Sequence, residues 1–117
     1  MGKFIKRFAY AAQGLAFLVR SQANARIHLL ATVLVCALGV HLRLARGERL
    51  WLIAAIVLVW GAEAFNTALE QLADAVHPAR HPGVGRAKDL AAGAVLIAAL
   101  GAALIGVLVF VPHWAGR

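Results

Sequence analysis

The sequence predicts an all-α membrane protein, with an N-terminal amphipathic helix on the bilayer surface followed by three transmembrane helices. Composition is the first reason. The 117-residue chain is 62% hydrophobic and only 15% charged, with mean hydropathy +0.79. An ordinary soluble domain carries about 25% charge, and one this short buries only about two-thirds of its unfolded surface. So much apolar surface does not fit inside a globule of this size, which excludes a soluble enzyme and a disordered tail. Charge placement is the second reason. Lys and Arg outnumber acids twelve to five, yet the cations lie outside the longest apolar runs. Few aromatics accompany them, so the expected partner is an anionic membrane surface and not nucleic acid. The length allows one domain, residues 1–117.

Residues 2–20 read as the surface helix. At helical periodicity Phe4, Ile5, Phe8, Ala11, Ala12, Leu15, Leu18 and Val19 share one side, and Lys3, Lys6, Arg7, Tyr10 and Gln13 the other. A signal peptide fits less well, because charges continue through Arg20 and Arg26 without a long apolar core. Spans are expected at about 27–45, 50–75 and 90–112. Arg43–Arg49 and His77–Asp89 read as the intervening loops, the second containing Pro78, Pro82, Gly83 and Gly85 as helix breakers. His28 and His41 read as markers of the first span's ends. Eight cations, including Lys3, Arg26, Arg80 and Lys88, would share the side of the N-terminus and second loop. Arg43, Arg46, Arg49 and Arg117 would share the other, so the positive-inside rule makes the first side cytoplasmic.

The second span contains the chemical anomaly. Glu63, Asn66, Glu70 and Asp74 are spaced 3, 4 and 4, which gathers four polar groups within about 80° of the helical circumference, bordered by Thr67. Ionisable groups in a span are costly unless they face protein or water, so the stripe reads as functional. Arg80, His81, Arg86 and Lys88 precede Asp89, read as opening the last helix. Cations and a helix N-terminus attract phosphate, and carboxylates opposite them can hold Mg²⁺ bridged to phosphate oxygens. That pattern suggests phosphoryl transfer at the membrane surface. A small oligomeric transporter or structural membrane subunit could use the same acids, with Glu63 as a proton site. No soluble-kinase phosphate loop or catalytic-loop signature is present.

At these residues the chain resembles the small bacterial integral-membrane lipid kinases, diacylglycerol kinase and undecaprenol kinase. The resemblance rests on Glu63-Ala64-Phe65-Asn66-Thr67-Ala68-Leu69-Glu70, then Asp74, then Ala87-Lys88-Asp89-Leu90-Ala91-Ala92-Gly93-Ala94-Val95-Leu96. Tyr10-Ala11-Ala12-Gln13-Gly14 and Asn24-Ala25-Arg26-Ile27-His28-Leu29 extend it over nearly the whole chain.

That resemblance implies a homotrimer in the bacterial cytoplasmic membrane, with composite sites on the cytoplasmic side. It implies transfer of the γ-phosphoryl of MgATP to a membrane lipid alcohol, diacylglycerol giving phosphatidic acid or undecaprenol giving undecaprenyl phosphate. Glu63 matches the general base, placed at the lipid with Gln13 and Gly14. Glu70 matches a metal-binding and nucleotide-site carboxylate. Asn66 and Asp74 fall in the polar active-site set, and Tyr10, Arg80, His81, Lys88 and Asp89 at ATP. Gln22 stands where the diacylglycerol kinase pattern has a second metal-binding Glu, so it is expected as a nucleotide-site contact without the charge. Lys3 stands where an Arg is expected, which keeps the charge but loses the bidentate fork.

Overall fold

The computed structural model describes residues 2–115, four helices in sequence: α1 (Gly2–Ser21), α2 (Ala23–His41), α3 (Arg46–Val76) and α4 (Pro82–Trp114). Arg117, grouped above with the outer-side cations, lies outside them. α2, α3 and α4 are each long and apolar enough to cross a membrane, and the protein is an all-helical membrane protein.

α3 and α4 form the main packed pair and run antiparallel: Asp74 meets Lys88 at one end, and Glu48 meets His113 at the other. The buried residues of α3, Leu52, Ala55, Val59, Glu63 and Thr67, recur every three or four positions and so form one stripe. Facing it, the buried and half-buried Ala91, Val95, Ala98, Ala102, Ile105 and Val109 of α4 are spaced 4-3-4-3-4. That is the period of about 3.5 residues that keeps a seam facing its partner, and its small members let the backbones approach. The apolar core is small: Leu44, Leu52, Val109 and Phe110, with Val35, Leu38, Leu42 and Ile105 against it. Most other large apolar side chains are exposed, including Phe65, Leu96, Ile97, Leu100, Leu104 and Leu108. A chain in water could not afford that surface. In hydrocarbon it costs nothing.

The helix limits correct two loop expectations. α4 starts at Pro82, not near Leu90, so the second loop shrinks to His77–His81 and Asp89 sits two turns inside the helix. Pro breaks a helix interior but suits its first position, where the missing N–H would have no partner. His81 caps that turn: its Nδ1 accepts from the N–H of Gly83 at 3.0 Å and of Val84 at 3.4 Å. A Cβ on Gly83 would lie 3.1 Å from the His81 ring, so glycine makes room for the cap. At the other end α3 starts at Arg46, four residues before the charge-free run, and only Leu42–Ala45 remain as a loop. Glu48 Oε1 accepts from the Ala45 N–H at 2.9 Å, half of a capping box whose other half Ala45 cannot supply. Arg43 takes a left-handed conformation (φ 53°) in that turn.

α3 and α4 have 31 and 33 residues, which makes them about 46 and 50 Å long against a hydrocarbon core of about 30 Å. With the core beginning near Leu50, it ends about twenty residues later, near Glu70. Glu63 then lies inside the apolar layer, and Asp74 with the first turns of α4 projects beyond it.

Between α1 and α2 the helix breaks at Gln22, whose backbone is extended (φ −116°, ψ 119°). Arg26 Nη1 donates to the carbonyls of Val19 at 3.1 Å and Arg20 at 2.9 Å. A cation on the last orphan carbonyls of α1 satisfies them and complements the helix dipole.

Candidate active site

Glu63 is the centre of the site. It is 3% exposed, on the stripe of α3 that also buries Val59 and Thr67. Burying a carboxylate is expensive unless something compensates it. One compensating group comes from α2: His28 Nε2 lies 3.0 Å from Glu63 Oε1. The approach is off the line a ring N–H needs, so Oε1 has no hydrogen bond despite the short distance. One turn on, Asn66 Oδ1 is also buried without a hydrogen-bond partner, while its Nδ2 reaches Glu70 Oε1 at a long 3.5 Å. Two buried acceptor oxygens on adjacent turns of one stripe form an arrangement suited to a donor or a cation. Leaving either unmatched costs about 1–3 kcal/mol.

The stripe then runs out toward the helix end. Glu70 is half-buried, and Asp74 is exposed and paired with Lys88 of α4. That pair is short enough to be direct, and it joins the two elements whose complementarity the sequence suggested. The structure therefore lines up Glu63, Asn66 and Glu70 with decreasing depth toward the Asp74–Lys88 pair, with Thr67 buried among them.

The remaining candidates are placed differently. Gly14 lines a cleft of about 410 Å³ between α1 and α3, against Thr67, Ala68 and Gln71, so α1 reaches the border of the stripe. Tyr10, Gln13 and Arg80 are exposed, and their side chains make no hydrogen bond or ion pair among the described residues. Gln22 is half-buried at the α1–α2 break. Asp89 follows Lys88 by one position and therefore points about 100° away from it around the helix. It lines a shallow groove with Arg86, Gly93 and Ile97 instead. His81 spends its Nδ1 on the α4 cap, and its ring stacks edgewise on His77 at 5.1 Å.

Two residues at the site were not anticipated. His28, read as a span-end marker, is the neighbour of Glu63. Trp60, which fits no interface position, donates from Nε1 to Thr32 Oγ1 at 3.0 Å. Thr32 in turn donates to the His28 carbonyl at 2.7 Å. The only signal for either lay in the i, i+4 spacing of His28 and Thr32 and the i, i+3 spacing of Trp60 and Glu63.

The donor set is compatible with Mg²⁺. Among the described residues no three His, Cys, Asp or Glu side chains cluster to form a metal cage. Mg²⁺ seldom uses one, being held by one or two carboxylates, waters and substrate phosphate oxygens. Glu70 and the unpartnered Asn66 Oδ1 offer oxygen ligands of that kind.

Comparison with known proteins bears on the same residues. The family model for prokaryotic diacylglycerol kinase matches residues 9–110, which include the whole stripe and the start of α4. The chain is 33% identical to undecaprenol kinase of Bacillus subtilis (strain 168) over 116 residues, 96% of this chain and 91% of that one. It is 30% identical to diacylglycerol kinase of Escherichia coli (strain K12) over 112 residues, covering 96% and 92%. It is 36% identical to diacylglycerol kinase of Synechocystis over 108 residues, covering 90% and 61%. The chain belongs to the prokaryotic diacylglycerol kinase family and is a lipid kinase.

Proposed function

We propose that this chain transfers the γ-phosphoryl group of MgATP to the hydroxyl of a membrane lipid at the cytoplasmic face of the bacterial cytoplasmic membrane. Diacylglycerol, converted to phosphatidic acid, is the first acceptor. Undecaprenol is the second reading, supported by the match to the Bacillus subtilis enzyme across nearly both chains. The observation that carries the proposal is the pair of buried oxygens on Glu63 and Asn66 that lack a hydrogen bond, at the depth where a lipid hydroxyl and a phosphate can meet.

In this reading Glu63 accepts the proton of the lipid hydroxyl as the oxygen attacks phosphorus, the work of a general base. Its depth suits an alcohol whose chains lie in hydrocarbon. Asn66 Nδ2 orients the acceptor or a phosphate oxygen. Lys88, released in part from Asp74, and Arg80 bind the triphosphate, with His81, Asp89, Tyr10 and Gln22 as further nucleotide contacts. Gln13 and Gly14 of α1 border the lipid. Glu70 and Asn66 would hold Mg²⁺, which supplies charge neutralisation to a transition state that demands positioning and electrostatics above all.

α1 is proposed to lie in the headgroup plane. The functional unit is proposed to be a homotrimer. Asp89 and Arg86 face away from the Glu63 stripe within one copy, so a second copy is needed to place them at a nucleotide.

The test is a competition. Purified chain in mixed micelles is given γ-labelled ATP, Mg²⁺, diacylglycerol and undecaprenol, and the lipid extract is separated. Label in phosphatidic acid or undecaprenyl phosphate is the expected result, and their ratio decides the acceptor. Absence of label from both lipids overturns the kinase reading.

A further inference from the structure

We propose that the groove between the C-terminal end of α2 and the N-terminal end of α3 binds an anionic phospholipid, with Arg43 and Arg49 on its phosphate and an acyl chain in the groove. The site goes beyond the kinase reading and does not rest on it, because it lies at the opposite end of α3 from Glu70 and Asp74.

The groove has a volume of about 550 Å³ and is lined by Val35, Cys36 and Gly39 of α2 and by Leu52, Ile53 and Ile56 of α3. Cavities of about 300–1,000 Å³ are the ordinary size of ligand sites. These walls are apolar and offer nothing to water. Arg43 and Arg49 line the same groove. With the hydrocarbon beginning near Leu50, Arg49 stands at its edge and Arg43 in the turn outside it, at the level of lipid headgroups. Ile56 lies seven residues farther along α3 than Arg49, about 10 Å deeper. Two cations above an apolar slot match a phosphodiester above an acyl chain. Guanidinium forks pair with phosphate oxygens two at a time.

Both cations are uncommitted. Neither guanidinium makes a hydrogen bond or ion pair among the described residues. The acid of this turn, Glu48, is engaged elsewhere: Oε1 accepts from the Ala45 N–H, and Oε2 lies 2.9 Å from His113 Nε2.

The backbone fixes where Arg43 starts from. The Leu44 N–H donates to the Gly39 carbonyl at 3.3 Å and the Arg43 N–H to the Val40 carbonyl at 3.2 Å. Those two bonds are the Schellman ending of a helix, whose left-handed position is usually glycine. Here Arg43 takes it, at φ 53°. Leu44, the next residue, is buried in the small core with Leu52, and its Cδ1 would lie 3.2 Å from a Cβ on Gly39. The turn is thereby clamped onto the groove's own walls, and the guanidinium is presented from a firm base. Arg46, exposed one turn before Leu50, does not line the groove.

The experiment reconstitutes the full chain in phosphatidylcholine vesicles containing a trace of phosphatidylglycerol with a diazirine in one acyl chain. After irradiation the lipid adducts are mapped by peptide mass spectrometry, and phosphatidylcholine with the same diazirine chain is the comparison. Adducts are expected on the α2 and α3 walls of the groove, at residues 35–40 and 52–56, and more heavily from phosphatidylglycerol. Arg43→Gln and Arg49→Gln should each lower that labelling about fivefold, and the double variant about 25-fold. Arg46→Gln, which removes the same surface charge without touching the groove, should leave it within about twofold. Equal labelling by the two lipids overturns the proposal, because the arginines then only reach for the headgroup layer. So does an equal loss in Arg46→Gln, the sign of a general surface potential. Adducts confined to other faces also overturn it, as when a second copy of the chain fills the groove.

Discussion

Replacing Glu63 by Gln separates chemistry from folding, because the two respond in opposite directions. Gln has nearly the volume and shape of Glu, so the packing around this 3%-exposed side chain is preserved. The rate loses its general base, a contribution of about 10²- to 10⁴-fold, or roughly 3–5 kcal/mol of barrier. The fold loses a buried carboxylate, whose removal from water costs several kcal/mol in a real protein and is offset, among the described residues, by His28. Glu63→Gln is therefore expected to be nearly inactive and at least as heat-stable as wild type. Label transfer to lipid measures the first and thermal unfolding in micelles the second. A variant that keeps kcat within about threefold refutes the base assignment. A variant that is inactive and also melts earlier refutes the separation, since Glu63 would then be structural.

Three further outcomes follow from other parts of the site. Lys88→Met should raise KM for ATP by about tenfold or more. Its pair with Asp74 is largely exposed, so stability should change by less than about 1 kcal/mol in denaturant titration. Gln22→Glu adds a carboxylate at the α1–α2 break and should lower the Mg²⁺ concentration needed for half activity. An unchanged or higher requirement places Gln22 away from the metal. Gly83→Ala sets a Cβ 3.1 Å from the His81 ring. It should cost up to about 1 kcal/mol through loss of the α4 cap, read as faster exchange of the amides of residue 83 and Val84.

The elements legible in the sequence were those written within one helix. α1 at 2–20, the three apolar segments and the Glu63–Asp74 stripe all follow from period and run length, signals a single helix contains. Helix starts were harder. Pro82, Gly83 and Gly85 read as breakers, yet Pro at a first turn and Gly under a capping ring support a helix there. Arg46 and Arg49 read as loop because they are charged, yet a helix that overhangs the hydrocarbon keeps charges in its first turn. What no single-helix pattern contains is the register between helices. The approach of His28 to Glu63 and of Trp60 to Thr32 depends on how far α2 slides along α3, and that is set by packing. The separation of Asp89 from Lys88 belongs to the same class: adjacent in sequence, they face about 100° apart on the helix.

The most direct measurement places the triphosphate. Chain with isotope-labelled Glu carboxyl carbons is reconstituted in bilayers with Mg²⁺ and a non-hydrolysable ATP analogue, and dephasing of each carboxyl by the phosphorus nuclei is recorded in the solid state. Dephasing at Glu63 and Glu70, with Glu48 at the far end of α3 unaffected, is the predicted result. Dephasing at Glu48, or at neither Glu63 nor Glu70, contradicts a phosphoryl-transfer site on the α3 stripe.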